Sequence, residues 1–169
     1  MANVGKSEAA SKQKRKATDG SDAITLLRKD HDKVKDLLKD FEQLRKEKAA
    51  ANKRRDIALQ ICNELKVHTQ IEEDIFYPAV REFLEDASMI EEALVEHQSA
   101  KSMVRQIESM DAGDELYDAS VTVLGEYVKH HINEEERELF PEVTSSKADT
   151  LAIGEQLAER KQELEKKLH

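Results

Sequence analysis

The chain has 169 residues, a length that suits one domain with a substantial core. Only 4% of residues are aromatic, there is no Trp, and 37% are charged, a balance typical of long amphipathic helices rather than sheets. The net charge is −9; residues 1–20 carry five basic and two acidic side chains, or +3, which leaves −12 on the remainder. Such an acidic body is a poor nucleic-acid binder, so the composition gives no strong nucleic-acid signal, and tethering to nucleic acid or a surface by the basic residues 1–20 stays open.

Residues 1–20 are polar and basic without apolar periodicity, so we expect a disordered basic tail there. No apolar run approaches the ~18 residues that cross a bilayer, and the N-terminus lacks the hydrophobic stretch of a signal peptide. The single cysteine, Cys62, excludes an internal disulfide framework and fits a reducing compartment. We therefore predict a cytoplasmic protein without a membrane segment.

Four amphipathic segments follow the tail, each with inward positions at steps of three and four. Their predicted stripes are Ile24, Leu27, His31, Val34, Leu38 and Phe41; Ile57, Ile61, Leu65, His68, Glu72 and Ile75; Leu94, His97, Lys101, Val104 and Ile107; and Leu116, Ala119, Val123, Tyr127, His131, Glu135 and Leu139. The third helix is predicted to open with a capping box over Ser88–Glu91. The second is predicted to end or kink at Pro78 and the fourth to stop at Pro141, because proline lacks the N–H that continues a helix.

A fifth helix is predicted to begin near Ser146–Asp149, a second capping-box pattern, and to place three leucines on one face. Those leucines are Leu157, Leu164 and Leu168. Helices of about 25 residues, roughly 38 Å long, joined by short connections favour antiparallel neighbours. We predict an all-α fold: an antiparallel up-down-up-down four-helix bundle over 21–144, with an additional amphipathic C-terminal helix over 145–169 that packs on the bundle or mediates self-association.

The same set of metal-type residues occurs twice in this chain. The sets are His31, His68 and Glu72, then His97, His131 and Glu135. The His-x-x-x-Glu pairs are offset by 63 (131 − 68) and the leading histidines by 66 (97 − 31), so only the connecting segment differs in length. Both prolines fall at the same place in the two copies. The repeat predicts two like half-sites that face each other.

Residues four apart share a helix face, so each His-x-x-x-Glu pair points into the bundle core. Buried carboxylates beside histidines are costly unless a cation compensates them or protons neutralise them, and a metal is the more economical explanation. Four imidazoles and two carboxylates without a thiolate suit iron or manganese, whereas zinc normally stops at four ligands. We predict a dinuclear site in which Glu72 and Glu135 are shared between the metals.

Pseudo-two-fold symmetry assigns one histidine pair to each metal of the predicted site. His31 and His68 would hold one metal, and His97 and His131 the other. Three neighbours lie a fraction of a turn away from these positions and are interpreted as surface residues or supports of the ligands rather than ligands. These neighbours are Glu73, His130 and Glu136.

The arrangement His31 … His68-xxx-Glu72-Glu73-xx-Phe76-Tyr77-Pro78 … His97 … His131-xxx-Glu135-Glu136-xx-Leu139-Phe140-Pro141 resembles the hemerythrin-like HHE cation-binding domain over roughly residues 22–143. The resemblance implies a four-helix bundle with a non-haem di-iron centre, with manganese the less favoured metal. By resemblance, the six repeated histidines and glutamates occupy the ligand positions.

One position departs from the resemblance. Classical oxygen-carrying hemerythrins have a second histidine one turn after the third-helix ligand, where this chain has Lys101. A protonated lysine cannot coordinate a metal, although it can donate hydrogen bonds towards the site or extend to solvent. Reversible oxygen carriage is therefore disfavoured, because one metal has one fewer fixed nitrogen.

The residues leave open whether the protein is an enzyme. The favoured hypothesis is a module that binds or senses O2, NO or the iron or redox state at its di-iron site. The alternative is a di-iron enzyme that decomposes hydrogen peroxide or reduces nitric oxide, with Lys101 as a proton or hydrogen-bond donor. A purely structural bundle ranks below both. The expected partners are a small diatomic ligand or peroxide.

Overall fold

The computed structural model describes residues 21–169, so the predicted disordered tail over 1–20 lies outside the described residues. Every regular element among the described residues is helical, and none of them forms a strand, which confirms the predicted all-α fold. The main helices are α1 (Ala23–Lys46), α2 (Ala51–Ile71), α3 (Ser88–Ser109), α4 (Tyr117–Glu134) and α5 (Thr150–Leu168). Helix α2 is extended by Glu72–Phe76, Tyr77–Val80 and Arg81–Phe83, and α4 by Glu135–Leu139 and Phe140–Ser145.

The first four helices form the bundle and the fifth packs against its outside. Helix α1 packs against α2 and α4, and α3 packs against the same two helices from the other side. Helix α5 lies on α1 and α2, where Ile153 and Leu157 are buried and Leu164 packs against the same apolar cluster. The apolar face of α5 thus packs within the chain, and self-association through α5 stays a prediction.

The two prolines lie within helices, contrary to the predicted stop at Pro141. A π-helical turn precedes each of them, over Glu72–Phe76 in α2 and Glu135–Leu139 in α4. Each proline then sits in the first turn of the helical segment that follows, where its missing N–H is tolerated. The wider turn therefore lets both helices continue, α4 as far as Ser145.

The capping-box predictions for α3 and α5 were wrong in detail. Ser88 already lies inside α3, and its backbone N–H donates to Asp86 Oδ1 at 2.9 Å instead of the serine capping the helix. Helix α5 starts close to the predicted position, but Asp149 is the capping residue, and its Oδ1 accepts from the backbone N–H of Ala152 at 3.0 Å. In both places the aspartate, not the serine, accepts the free N–H of a helix start.

The predicted inward stripe of α4 was wrong in its first half. Leu116 and Val123 are 66% and 58% exposed, and Ala119 is exposed as well. The residues that are buried instead are Tyr117, Val121, Leu124 and Val128. Each residue turns an α-helix by about 100°, so a step of four residues overshoots a full turn by about 40°. A stripe that is counted back from His131 in steps of four therefore drifts away from the buried face. Alternating steps of three and four stay on the buried face.

The buried polar residues separate two apolar clusters along the bundle. One cluster includes Val34 and Leu65, and the other includes Leu27 and Ile71. His31 follows Leu27 and precedes Val34, so it lies at the junction between the clusters, as the other three repeated histidines do on their helices. No helix of the described residues is long and apolar enough to cross a membrane.

Candidate metal centre

The six repeated residues come together at the junction of the two clusters. All are buried, with exposures from 0% to 7%: His31, His68, Glu72, His97, His131 and Glu135. The Nε2 atoms of His31 and His68 are 3.1 Å apart, and those of His97 and His131 are also 3.1 Å apart. The histidines thus form the two pairs that the symmetry of the repeat predicts.

The two glutamates lie between the histidine pairs. Glu72 places Oε1 3.0 Å from His68 Nε2 and Oε2 3.1 Å from His97 Nε2, so it spans both pairs. Glu135 Oε1 lies 2.9 Å from His131 Nε2 and 3.5 Å from His31 Nε2. Two groups of potential ligands, each with its atoms within 4.8 Å of one another, therefore overlap at Glu72, and Glu135 belongs to the group of His31 and His68.

A carboxylate holds the outer nitrogen of every histidine in the centre. The Nδ1 contacts are His31 with Glu136 at 2.9 Å, His68 with Asp30 at 3.3 Å, His97 with Glu73 at 2.9 Å, and His131 with Glu96 at 3.1 Å. Each imidazole donates its Nδ1–H outward, so Nε2 faces into the centre and offers its lone pair to a metal once the Nε2 proton has left. Glu73 and Glu136 are therefore supports of the ligand positions.

The charges of this centre shift the pKa values of its histidines. Burial alone lowers the pKa of His68, but the charge of Glu72 and the hydrogen bond to Asp30 outweigh it and raise the pKa to about 10. For His131, burial is likewise outweighed by the charge of Glu135 and the hydrogen bond to Glu96, and the pKa rises to about 11. The paired imidazoles hold the pKa of Glu135 well below its ordinary value despite burial. Protons thus compensate the carboxylates when no metal does.

The donor set fits a cation bound between the carboxylates and imidazoles. Glu72 Oε1 and Glu135 Oε1 are buried and, among the described residues, have no hydrogen-bond donor. Both approach Nε2 atoms at close range, but without hydrogen-bond geometry. Oxygen and nitrogen lone pairs that face each other at about 3 Å repel unless a proton or a metal ion lies between them. The residues present therefore suit a metal better than an apolar or purely hydrogen-bonded core.

Tyr77 adds a hydroxyl that the sequence analysis did not single out. Its Oη donates to Glu72 Oε2 at 3.1 Å or Glu135 Oε2 at 3.0 Å, and lies 3.3 Å from His97 Nε2. Burial and the two carboxylates raise the pKa of Tyr77 well above its ordinary value, so the proton stays on the phenol. The corresponding residue of the second copy, Phe140, stacks on His31 with ring centroids 5.5 Å apart.

Lys101 lies at the edge of the centre and not inside it. Its Nζ donates to Glu73 Oε2 at 2.6 Å, and Glu73 in turn accepts from His97 Nδ1. Its side chain is 30% exposed. Lys101 is thus a hydrogen-bond donor one residue removed from the predicted ligands, acting on the carboxylate that orients His97.

Comparison with known proteins agrees with this geometry. The sequence model of the Hemerythrin HHE cation binding domain matches residues 22–143, so the chain belongs to the hemerythrin HHE family, a class of cation-binding helical domains. The crystal structure of an HHE cation binding domain-containing protein from Mycobacterium kansasii superposes with a TM-score of 0.70 and 23% identity, covering 85% of this chain and 87% of that one. That likeness shows the fold.

A curated relative comes from Nostoc sp. strain PCC 7120 and is named a DNA nickase. It is 27% identical over 134 residues, which are 76% of this chain. The match covers only 37% of the relative's length, so the chain is similar to little more than a third of that protein.

Proposed function

We propose that this protein holds a non-haem di-iron centre and binds or senses O2 or NO there. The proposed ligands are His31, His68, Glu72, His97, His131 and Glu135. Family membership supports cation binding. The donor set is rich in nitrogen and oxygen and has no thiolate, which supports iron over metals that prefer sulfur ligands and over zinc, which normally takes four ligands. Iron would supply the redox-active, ligand-binding centre when bound.

A small cavity beside the histidines supports the proposal of a diatomic ligand. Its volume is about 20 Å³, and all four repeated histidines border it. The remaining wall is mostly apolar: Val34, Leu65, Ala100, Val128 and Ile132. A space of this size holds about one water-sized molecule. Thr69, Glu96 and Tyr127 also border the cavity. The hydroxyl of Thr69 donates to the backbone carbonyl of Leu65, and Glu96 accepts from His131 Nδ1, so both groups already have partners, which favours a small apolar ligand over a polar substrate.

Lys101 favours sensing over carriage in this proposal. It stands where classical oxygen carriers have a further histidine, and its Nζ is held by Glu73. The centre therefore offers one fewer nitrogen ligand on the side of His97. Because that nitrogen is missing, the metal on the side of His97 would have one more coordination position open to an exogenous ligand.

The hydroxyl of Tyr77 favours the second candidate, a di-iron enzyme that decomposes hydrogen peroxide or reduces nitric oxide. Both reactions need protons moved between oxygen atoms, and Tyr77 holds a proton within 3.1 Å of Glu72 and 3.0 Å of Glu135. Turnover distinguishes this candidate from stoichiometric binding.

The test uses iron-loaded, anaerobically reduced protein titrated with NO or O2 while the ultraviolet-visible spectrum is recorded. We expect a saturable spectral change near one equivalent of ligand per centre. The Ala100→Ile variant should fill the cavity and slow ligand binding by about tenfold or more at equal iron content, whereas Ala119→Ile, at an exposed position of α4, should not. Sustained consumption of peroxide would favour the enzyme, and an iron-loaded protein without spectral response would contradict both candidates.

A further inference from the structure

The metal centre has an open side between α3 and α4. A cavity of about 50 Å³ reaches from the surface to His131 and Glu135 there. Four carboxylates line its walls: Glu92, Glu96, Glu134 and Glu138. No Lys or Arg is among its lining residues in the described part of the chain. We call this opening the acidic mouth; its charge favours cations over anions.

The equivalent side in the first copy is closed. The residues of the first copy that correspond to Glu92 and Glu96, at an offset of 66, are Leu26 and Asp30. Those that correspond to Glu134 and Glu138, at an offset of 63, are Ile71 and Ile75. Three of the four carboxylates are thus replaced by aliphatic side chains, and α5 covers that face. Gly154 lets α5 approach closely, since a Cβ there would lie 2.4 Å from Ser21 O. The remaining carboxylate, Asp30, is paired with Lys161 of α5.

A histidine and two glutamates lie together on the outer side of the acidic mouth. His130 Nε2 is 2.9 Å from Glu134 Oε1, and ligand atoms of these two residues and Glu96 lie within 4.8 Å of one another. His130 is 65% exposed, so an ion reaches it directly from solvent. Glu91 and Glu92 border the same outer cleft.

The outer cluster leads directly to the centre. Glu96 and Glu134 line both the outer cleft and the acidic mouth, and Glu96 Oε1 lies 3.1 Å from His131 Nδ1. At the inner end, Glu135 is buried, and its Oε1 has no hydrogen-bond donor among the described residues. This unpartnered oxygen is an independent indication that the cavity leads a cation inward.

We propose that Glu96, His130 and Glu134 form a loading site that captures a divalent cation and passes it through the acidic mouth to His131 and Glu135. One imidazole and two carboxylates suit a first-row divalent ion, and three protein ligands, two of them partly solvated, bind it weakly enough for release. The surrounding carboxylates raise the local cation concentration and so the rate of capture. The proposal rests on the proposed metal centre and adds the route by which the centre is filled.

The test measures the rate at which metal-free protein takes up Co²⁺, followed by its visible absorption in a stopped-flow instrument. Glu134→Gln and His130→Ala should each slow loading by about tenfold at limiting Co²⁺, and Glu134→Gln, which removes a negative charge, should also weaken the salt dependence of the rate. The final number of bound ions should match that of the unaltered chain. Glu126→Gln is the matched control, because it removes the same charge two helical turns away on α4, where Glu126 is 73% exposed.

Equal loading rates in all chains would overturn the loading site and leave the metal centre standing. Equal slowing by Glu126→Gln would overturn it as well, because the effect would then come from overall charge. Faster loading in Lys161→Ala, with no effect of the mouth variants, would place the route on the opposite side and contradict the proposal. An unaltered chain that took up no metal would overturn both the loading site and the proposed function.

Discussion

The two halves of the metal centre have matching ligand positions but different surroundings. The half with His31 and His68 is covered by α5, and Phe140 stacks on His31. The half with His97 and His131 opens to the acidic mouth, and Tyr77 places its hydroxyl 3.3 Å from His97 Nε2. The donor set is thus repeated in both halves, whereas the neighbouring residues close one half and leave the other open to solvent, with the phenol proton of Tyr77 beside it.

The shared carboxylates give the largest expected effect, because they connect the two halves. Glu72→Ala and Glu135→Ala should each leave less than one ion per chain after desalting, since in the proposed centre each glutamate is a ligand of both metals. Elemental analysis of the desalted variants measures this, with Glu126→Ala as the control. Loss of a single ion in either variant would show that the halves bind independently.

Removing the metal should destabilise both halves. A tightly bound ligand at about a thousand times its Kd stabilises the fold by about 4 kcal/mol, which corresponds to roughly 10 °C in melting temperature for a chain of this size. Calorimetry on chelator-treated and metal-loaded protein measures the difference. Equal melting temperatures after verified metal loss would mean that the six residues do not depend on a cation.

The stability of the metal-free protein should fall at alkaline pH. His68 and His131 have pKa values of about 10 and about 11 without metal, above the ordinary value near 6.5. Their pairing with carboxylates therefore stabilises the fold fully below about pH 6.5 and is lost as the pH rises through 10 to 11. Metal-free protein should melt at a lower temperature at pH 10.5 than at pH 7. The His68→Gln variant should lose less over that range, and an equal loss would assign the effect to other groups.

The carboxylates that accept from the histidine Nδ1 atoms allow the two halves to be tested one at a time, because each contacts a histidine of only one pair. Asp30→Asn should weaken the metal held by His68, and Glu96→Gln the metal held by His131, each by about 10–100-fold, because the imidazole loses the partner that fixes its orientation. Competition titrations with a chelator of known affinity measure the two sites separately. If each variant weakened both metals equally, the assignment of one histidine pair to each metal would be wrong.

Tyr77→Phe should have the smallest effect, and it gives the first copy the residue that the second copy has at Phe140. Loss of the hydroxyl leaves Glu72 and Glu135 with one donor fewer, so the metal-free protein should lose about 1–3 kcal/mol in the free energy of unfolding. Tyr117→Phe is the matched control, because the buried hydroxyl of Tyr117 has no hydrogen-bond partner among the described residues and its removal should cost little. Denaturant unfolding measures the free energy of unfolding of both variants. Equal losses would show that the hydrogen bonds of Tyr77 to Glu72 and Glu135 do not stabilise the metal-free protein.

The repeat was sufficient to predict the fold and to indicate which six residues meet. Position along a helix decides whether His31 or Glu72 faces the core, and the sequence displays that periodicity directly. The same reasoning failed for Val123, where steps of four drift away from the buried face. It also failed at Pro141, because a π turn is not visible in an α-helical pattern.

The supporting residues could not be predicted from spacing within one helix. Asp30 and Glu96 each reach a histidine on a neighbouring helix, so their contacts depend on how the helices pack. Tyr77 lies five positions after Glu72, which places it about 140° away on an ideal α-helix. The π turn over Glu72–Phe76 brings Tyr77 back over Glu72, and only the structure reveals it.

The most direct test of the account is the metal content of the protein purified from iron-rich growth and desalted without chelator. Elemental analysis should find two iron ions per chain, because the overlapping ligand groups share Glu72 between two histidine pairs. A single ion per chain, or a zinc protein free of iron, would contradict the di-iron centre.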